Sequence, residues 1–403
     1  MAPSVPREHI VLYALLTALT AVSIDSLLPG LREISSELAP APPLSTQHVV
    51  SLFILGMVFG ELFLGPLSDA IGRKQALVIG LGVYAIGTFV ALFASSLEGV
   101  VVGRILQGVG VAGPKIATRA MIRDQFEGEA MARIMSFLFS LFILVPMVAP
   151  ALGQGVIAFG GWRAMFAVYL VLALALGTWV VLRQPETLPP ERRIPLRPRI
   201  LLANGVRVLA NRRVALLIVA TGFVFGAQLL YLSIAADLFA DAYEVRETFP
   251  FYFALLAGGI GLASYLNGRF VGRFGMDAMA RCGFLGLTLA GLLMLAASNA
   301  FDGRPPLMLL LLFGFAAFFS IGILFGNLNA MAMRSLGQVA GLGASLIASG
   351  SSLVASLFAV GLGPFYDGTV SVLAGGIFLA GAASLTLGEL SARVSDAPIA
   401  AVR

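Results

Sequence analysis

Twelve stretches of this chain are apolar for long enough to cross a lipid bilayer, and no other feature of the sequence limits the fold as strongly. A helix rising 1.5 Å per residue needs about 20 apolar residues to span hydrocarbon. Runs that meet this need lie at roughly 10–29, 49–67, 76–95, 99–120, 134–159, 164–182, 214–236, 249–268, 280–299, 306–330, 339–363 and 370–390. Each is far too long for a strand of a membrane barrel, which crosses in about 10 residues. With 59% hydrophobic and 12% charged residues, the composition lies outside the range of soluble domains. The expected fold is an all-α polytopic membrane protein with twelve transmembrane helices.

The same sequence excludes several functions. Cys282 is the only cysteine, and His9 and His48 are the only histidines, far apart in sequence, so neither a disulfide nor a metal site is expected. GVGVAG, Gly108 to Gly113, has the letters of a dinucleotide loop, but no strand precedes it and it lies inside an apolar run. Close helix packing accounts for these glycines. No phosphate-binding loop of the Walker type occurs, and no nucleophile–base constellation suggests an enzyme. No cofactor is expected. About nine residues precede the first apolar run, which is read as a retained helix and not as a cleaved signal.

Basic residues set the orientation. With the N-terminus inside, Arg7, Arg73, Lys74, Arg119, Arg123, Arg133, the Arg183 to Arg213 cluster, Arg269, Arg273, Arg281, Arg334, Arg393 and Arg403 fall on the cytoplasmic side. Only Arg32, Arg163, Arg246 and Arg304 fall outside. Under the positive-inside rule both termini are expected to be cytoplasmic, and the basic pI of about 9.6 reflects topology, not nucleic-acid binding. RQPETLPPERRIPLRPR, from Arg183 to Arg199, separates the sixth and seventh spans. It divides the chain into an N-terminal six-helix half (1–182), a basic linker (183–213) and a C-terminal half (214–403). The stretch ILLANGVRVLANRR that follows suits an amphipathic helix on the inner membrane surface. GPLSDAIGRK (Gly65 to Lys74) after the second span is echoed by NGRFVGRFG (Asn267 to Gly275) after the eighth, which supports a duplicated, pseudo-symmetric plan with function between the halves.

Those motifs, with GRILQGVGVAGPKIATRAMIRD in the fourth span, APALGQGVIAFGGWRAMF in the fifth and sixth, DSLLPGL ending the first, and FGNLNAMAM and AGLGASL in the second half, identify a resemblance. The chain resembles the major facilitator superfamily, and within it the twelve-helix drug:proton antiporters of the bicyclomycin and chloramphenicol resistance (Bcr/CflA) type, over nearly its whole length. The resemblance implies that Gly65, Asp69, Gly72, Arg73 and Lys74 form a tight cytoplasmic turn gating the inward side, with Arg73 reaching toward Asp124. Ala70 stands where the family usually has arginine, so part of that charge network is missing.

Two buried charges attract attention in the first half. Asp25 ends an apolar run, and Arg104 lies about six residues, or ~9 Å, inside the outer end of the fourth span. An intramembrane carboxylate needs a partner, water or a cavity. The resemblance places the first and fourth spans side by side, so an Asp25–Arg104 pair is expected, with Asp25 carrying a proton and Arg104 tuning it. A static ion pair is the alternative. Glu61 and Lys115 are charged where the family more often has glutamine and an apolar residue. Lys115 follows Arg104 by eleven residues, three turns plus about 20°, so both leave one face. Glu61 and Lys115 either pair with each other, or Lys115 lines the cavity and favours anionic or zwitterionic substrates, or Glu61 is a second proton site.

Pro146, Pro150, Gly153 and Gly155 give the fifth span a bendable, closely packing course. In the resembled family this motif goes with antiport, although Ala149 and Gln154 replace glycines often found there. Gln107, Gln228, Tyr231, Tyr252 and Asn327 are candidate substrate contacts among adaptable Phe and Met surfaces. The expected function is proton-driven efflux of small amphipathic compounds by alternating access, by a monomer in the inner (cytoplasmic) membrane. Proton-coupled uptake of a metabolite is the second transport reading, and a non-transporting membrane sensor is a reading of another class.

Overall fold

The computed structural model describes residues 7–38, 44–126, 128–194, 196–334, 336 and 340–394, with side chains except at 7, 128–133, 135–143, 198, 340 and 341. Arg403 and the first residue of the 339–363 run lie outside the described residues, as do the side chains of Arg7 and Arg133. Hydrocarbon offers no partner to an exposed peptide group, so long apolar runs fold as helices that satisfy their own backbone. The chain divides into two compact units, Met1–Arg197 and Pro198–Arg403.

Unit 1 holds α1 (Arg7–Asp25), the short α2 (Leu31–Leu38), α3 (His48–Ile71), α4 (Arg73–Leu92), α5 (Leu97–Gln125) and α6 (Gly128–Arg183). Unit 2 holds α7 (Pro198–Ala210), α8 (Arg212–Tyr243), α9 (Phe249–Phe274), α10 (Met276–Ala300), α11 (Leu307–Met333), α12 (Ala340–Leu362) and α13 (Ser371–Ala392). No strand occurs among the described residues. Among the described residues, eleven continuous stretches have spanning length and hydropathy, one of them the 40 residues Leu144–Arg183. At 1.5 Å per residue those 40 residues measure about 60 Å, enough for two crossings of ~30 Å.

The division within α6 falls at Gly161, whose φ of 69° and ψ of 179° are not helical. Pro146 and Pro150 sit inside helical backbone and do not break it. Helix restarts at Trp162, whose backbone N–H donates to Glu33 Oε2 at 3.1 Å. A remote carboxylate on α2 thus caps the new N-terminus. Glu37 accepts from Trp162 Nε1 at 2.7 Å and pairs with Arg163, whose guanidinium lies 4.1 Å over the indole.

Glycine governs how closely the helices of unit 1 approach. A Cβ on Gly108 would overlap the carbonyl oxygen of Phe53 on α3, and one on Gly110 would overlap the Tyr84 amide on α4. GVGVAG is therefore the seam along which α5 lies against both neighbours, as small residues do in lipid where backbone approach drives association. Large apolar side chains face outward in both units, among them Phe63, Leu182, Phe251 and Met308 at 66, 73, 68 and 77% exposure. Such a surface is matched to lipid. The segment assigned as linker is only partly extended: α7 occupies thirteen of its residues, and the unit boundary falls just before it, between Arg197 and Pro198.

Candidate functional site

Asp25 closes α1 and is 4% exposed. It forms no hydrogen bond or ion pair among the described residues, and the expected Asp25–Arg104 pair is absent. Helix phase explains this: Arg104 Nη1 donates to the carbonyl of Ser23 at 3.0 Å, and two residues further along α1 the side chain has turned about 200°. The serines on either side of Asp25 are held by tyrosines. Tyr84 OH and Ser23 Oγ are 2.7 Å apart, as are Tyr169 OH and Ser26 Oγ. Gly153 of α6 lies against the Ser26 carbonyl, where a Cβ would overlap it, whereas Gly155 faces open space. Of the two fifth-span glycines, Gly153 brings α6 against the end of α1.

Arg104 is fully buried and anchored without a carboxylate. Its Nε donates to Val49 O and its Nη1 also to Gln107 Oε1, each at 3.0 Å, and its guanidinium sits 4.2 Å over Phe53. Gln107 passes the network on to Thr88 Oγ1 at 2.7 Å. Arg104 Nη2 is buried without a hydrogen-bond partner among the described residues. Neutral acceptors and an aromatic face thus hold the cation in place of a counter-ion.

Glu61 and Lys115 come together. Lys115 Nζ donates to Glu61 Oε1 at 2.5 Å, with the carboxylate 1% and the lysine 21% exposed. Lys115 Nζ also lies 3.6 Å from Met57 Sδ. Glu61 Oε2 is buried and unpaired among the described residues. A buried pair satisfied at only one carboxylate oxygen costs more desolvation than a fully bonded one.

The stretch Gly65 to Lys74 is not a turn over its full length, because α3 continues through Gly65, Pro66 and Asp69 to Ile71. The turn is Gly72 alone, with φ 114° and ψ 156°, a region that only glycine adopts readily. Arg73, 4% exposed, bonds Asp69, Ser68 at 3.2 Å and Asp124 Oδ2 at 3.0 Å. Glu186 is the participant that sequence reasoning missed. Its Oε1 accepts from the Arg73 amide at 2.9 Å and its Oε2 from the Lys74 amide at 3.2 Å, capping α4. Lys74 Nζ reaches the Val181 carbonyl at 2.8 Å, and the Ile194 amide bonds the Asp69 carbonyl at 3.0 Å. No local signal marks Glu186, whose partners are 112 and 113 residues away.

Of the expected substrate contacts, Gln107, Tyr231 and Asn327 are buried within their own units, at 0, 2 and 2% exposure. Tyr231 packs between Phe253 and Phe318, and Asn327 Nδ2 bonds Asn267 Oδ1 at 2.7 Å, joining α11 to α9. Gln228 and Tyr252 are half-buried, and Tyr252 stacks on Phe239 with ring centroids 5.6 Å apart.

Two units of six crossings, with charges buried in helices of the first, define a polytopic membrane protein of the secondary-transporter class. The chain belongs to the Major Facilitator Superfamily, whose family model matches residues 13–359. It is 30% identical over 337 residues, 83% of each chain, to a bicyclomycin resistance protein homolog of Haemophilus influenzae. It is 24% identical to the multidrug transporter MdfA of Yersinia pestis, covering 71% of this chain and 69% of that one. A solved D-xylose–proton symporter superposes with a TM-score of 0.75 over 98% of each chain, at 14% identity, and so shares the fold.

Proposed function

We propose that this protein exports small amphipathic compounds across the cell inner membrane in exchange for protons, by alternating access of its two halves. The observation that carries the coupling reading is Asp25: a carboxyl 4% exposed, with neither ion pair nor hydrogen bond, in the same half as an arginine anchored by neutral groups. A group so placed changes its protonation without breaking a salt bridge, and an intramembrane ionisable residue is a functional candidate by default. The resistance and multidrug names of the relatives support efflux of drug-like compounds. In this reading Arg104 tunes Asp25, Glu61 with Lys115 is a second charge-bearing element, and Gly72, Arg73 and Asp124 belong to a cytoplasmic gate. Both termini face the cytoplasm, the proton gradient supplies the energy, and a monomer suffices.

The test is efflux of a fluorescent lipophilic cation and of a neutral antibiotic from vesicles under an imposed pH gradient, wild type against Asp25→Asn. Gradient-driven transport in the wild type with an inert mutant is the expected outcome. Equal gradient-driven transport in the mutant transfers the proton to another group, with Glu61 the next to test by Glu61→Gln.

A further inference from the structure

We propose that α7 is a binding site for acidic phospholipid, seated at the boundary between headgroups and acyl chains. The helix runs over Pro198–Ala210 and packs against α8 and α12. Val208 is fully buried, and Gly205 lies toward Leu346 of α12. At 100° per residue the far side carries Leu202, Val206 and Leu209. These are 70, 58 and 49% exposed, an apolar stripe that no part of the described chain covers.

Arg199 stands at the edge of the stripe, about 20° from Val206, and Arg207 lies about 80° further round the helix. Both are exposed, as is Arg212 just beyond the Asn211 cap of α8. The buried Arg213 faces Asp277 at 4.0 Å and is not part of this surface. The charge is of one sign: from Arg192 to Ala236 the sequence has seven arginines and no acidic residue.

An apolar stripe with arginines at its edge and beyond is the pattern of a helix lying in the membrane interface. Two further observations select lipid as the occupant. The helix leads within two residues into the membrane-spanning α8, and its other neighbour, α12, turns Leu353 and Leu357 outward as an apolar surface. The stripe therefore lies on a helix packed against two membrane-spanning helices, one of which presents an outward apolar surface. Arginine forks pair with phosphate oxygens bidentately, and each basic residue near a membrane surface strengthens binding to anionic lipid about fivefold.

The test is native mass spectrometry of the full-length protein in detergent with equal phosphatidylglycerol and phosphatidylcholine, a readout that needs no transport. The wild type is expected to retain phosphatidylglycerol preferentially. Arg199→Gln/Arg207→Gln is expected to lower that retention by about tenfold or more and leave phosphatidylcholine unchanged. The single Arg199→Gln, a surface change, carries the same test at about fivefold where the pair does not give folded protein. Leu202→Ser/Val206→Ser, with the arginines intact, is expected to lower retention of both lipids. Arg281→Gln, on α10 and paired with Glu389, is expected to change nothing. Absence of a phosphatidylglycerol preference in the wild type, wild-type retention in the glutamine variants or in the serine pair, or an equal loss in Arg281→Gln would each overturn the proposal.

Discussion

The turn after α3 and the turn after α9 occupy equivalent places in the two halves, and their charges are inverted. In unit 1 the helix after the turn opens with cations, Arg73 and Lys74, and the acid, Asp124, lies near the end of α5. In unit 2 it opens with an acid, Asp277, and the cation, Arg334, lies at the end of α11. A helix N-terminus carries partial positive charge and favours an anion. The second half meets that demand locally with Asp277. The first half does not, and takes its anion from Glu186 beyond the end of α6. Duplicated elements thus solve one electrostatic problem in two ways, and the remote solution also fixes the first part of the connecting segment to unit 1.

The two halves differ most at the arginines. Arg73 has a side chain 5% exposed with three side-chain acceptors, Asp69, Ser68 and Asp124. Arg73→Gln leaves two carboxylates facing each other without their cation, a loss of about 3 kcal/mol once the partial exposure of both acids is allowed for. Arg334, 37% exposed and 3.4 Å from an acid that is itself 59% exposed, is expected to contribute less than about 1 kcal/mol. Thermal unfolding of the two variants in detergent should separate them clearly. Equal shifts would show that the inversion has no energetic consequence.

The two turning glycines differ in their surroundings and not in their backbone. Gly72 and Gly275 share one conformation, φ 114° and ψ 156° against φ 81° and ψ 158°, so alanine at either is strained by about 1–3 kcal/mol. A Cβ on Gly72 would also strike Glu186 Oε2, whereas one on Gly275 would meet nothing within 4 Å. Gly72→Ala should therefore exceed Gly275→Ala by the value of the displaced cap, about 1 kcal/mol. Adding Glu186→Ala to each should erase the excess. Persistence of the difference in the double variants would place its origin elsewhere than at Glu186.

What could be read from the sequence follows the range of the signal. The spans were legible because hydrocarbon demands length and apolarity locally, and the Glu61–Lys115 contact because helix depth can be counted from the ends. The Asp25–Arg104 pair was not formed because adjacency of two helices fixes their distance and not their phase, and the Ser23 carbonyl takes the guanidinium first. Glu186, Glu33, Tyr84 and Tyr169 were invisible for a shared reason: each acts on a residue at least 61 positions away, with no pattern at either end. Gln107 and Asn327 were legible as polar groups in need of a partner, but polarity in an apolar helix does not say which: Arg104 and Thr88 for the one, Asn267 for the other.

The smallest expected effect isolates the anions themselves. Glu186→Ala removes two charge-assisted bonds to the amides of Arg73 and Lys74, and also the bonds from the Thr187 and Leu188 amides to its Oε1. Loss of an N-cap acceptor typically costs about 1 kcal/mol. Asp277→Ala removes an acid in the first turn whose two arginine contacts are long, at 3.4 and 4.0 Å, and its effect should be a few tenths of a kcal/mol. Salt distinguishes the two mechanisms. Exposed charge pairs are screened within about 8 Å at physiological ionic strength, whereas a short bond between carboxylate and amide persists. Raising sodium chloride toward 1 M should abolish the difference between wild type and Asp277→Ala and leave most of that between wild type and Glu186→Ala. If high salt removes both differences, Glu186 acts on α4 only through its field, and the two halves meet the demand of their helix ends by the same long-range means.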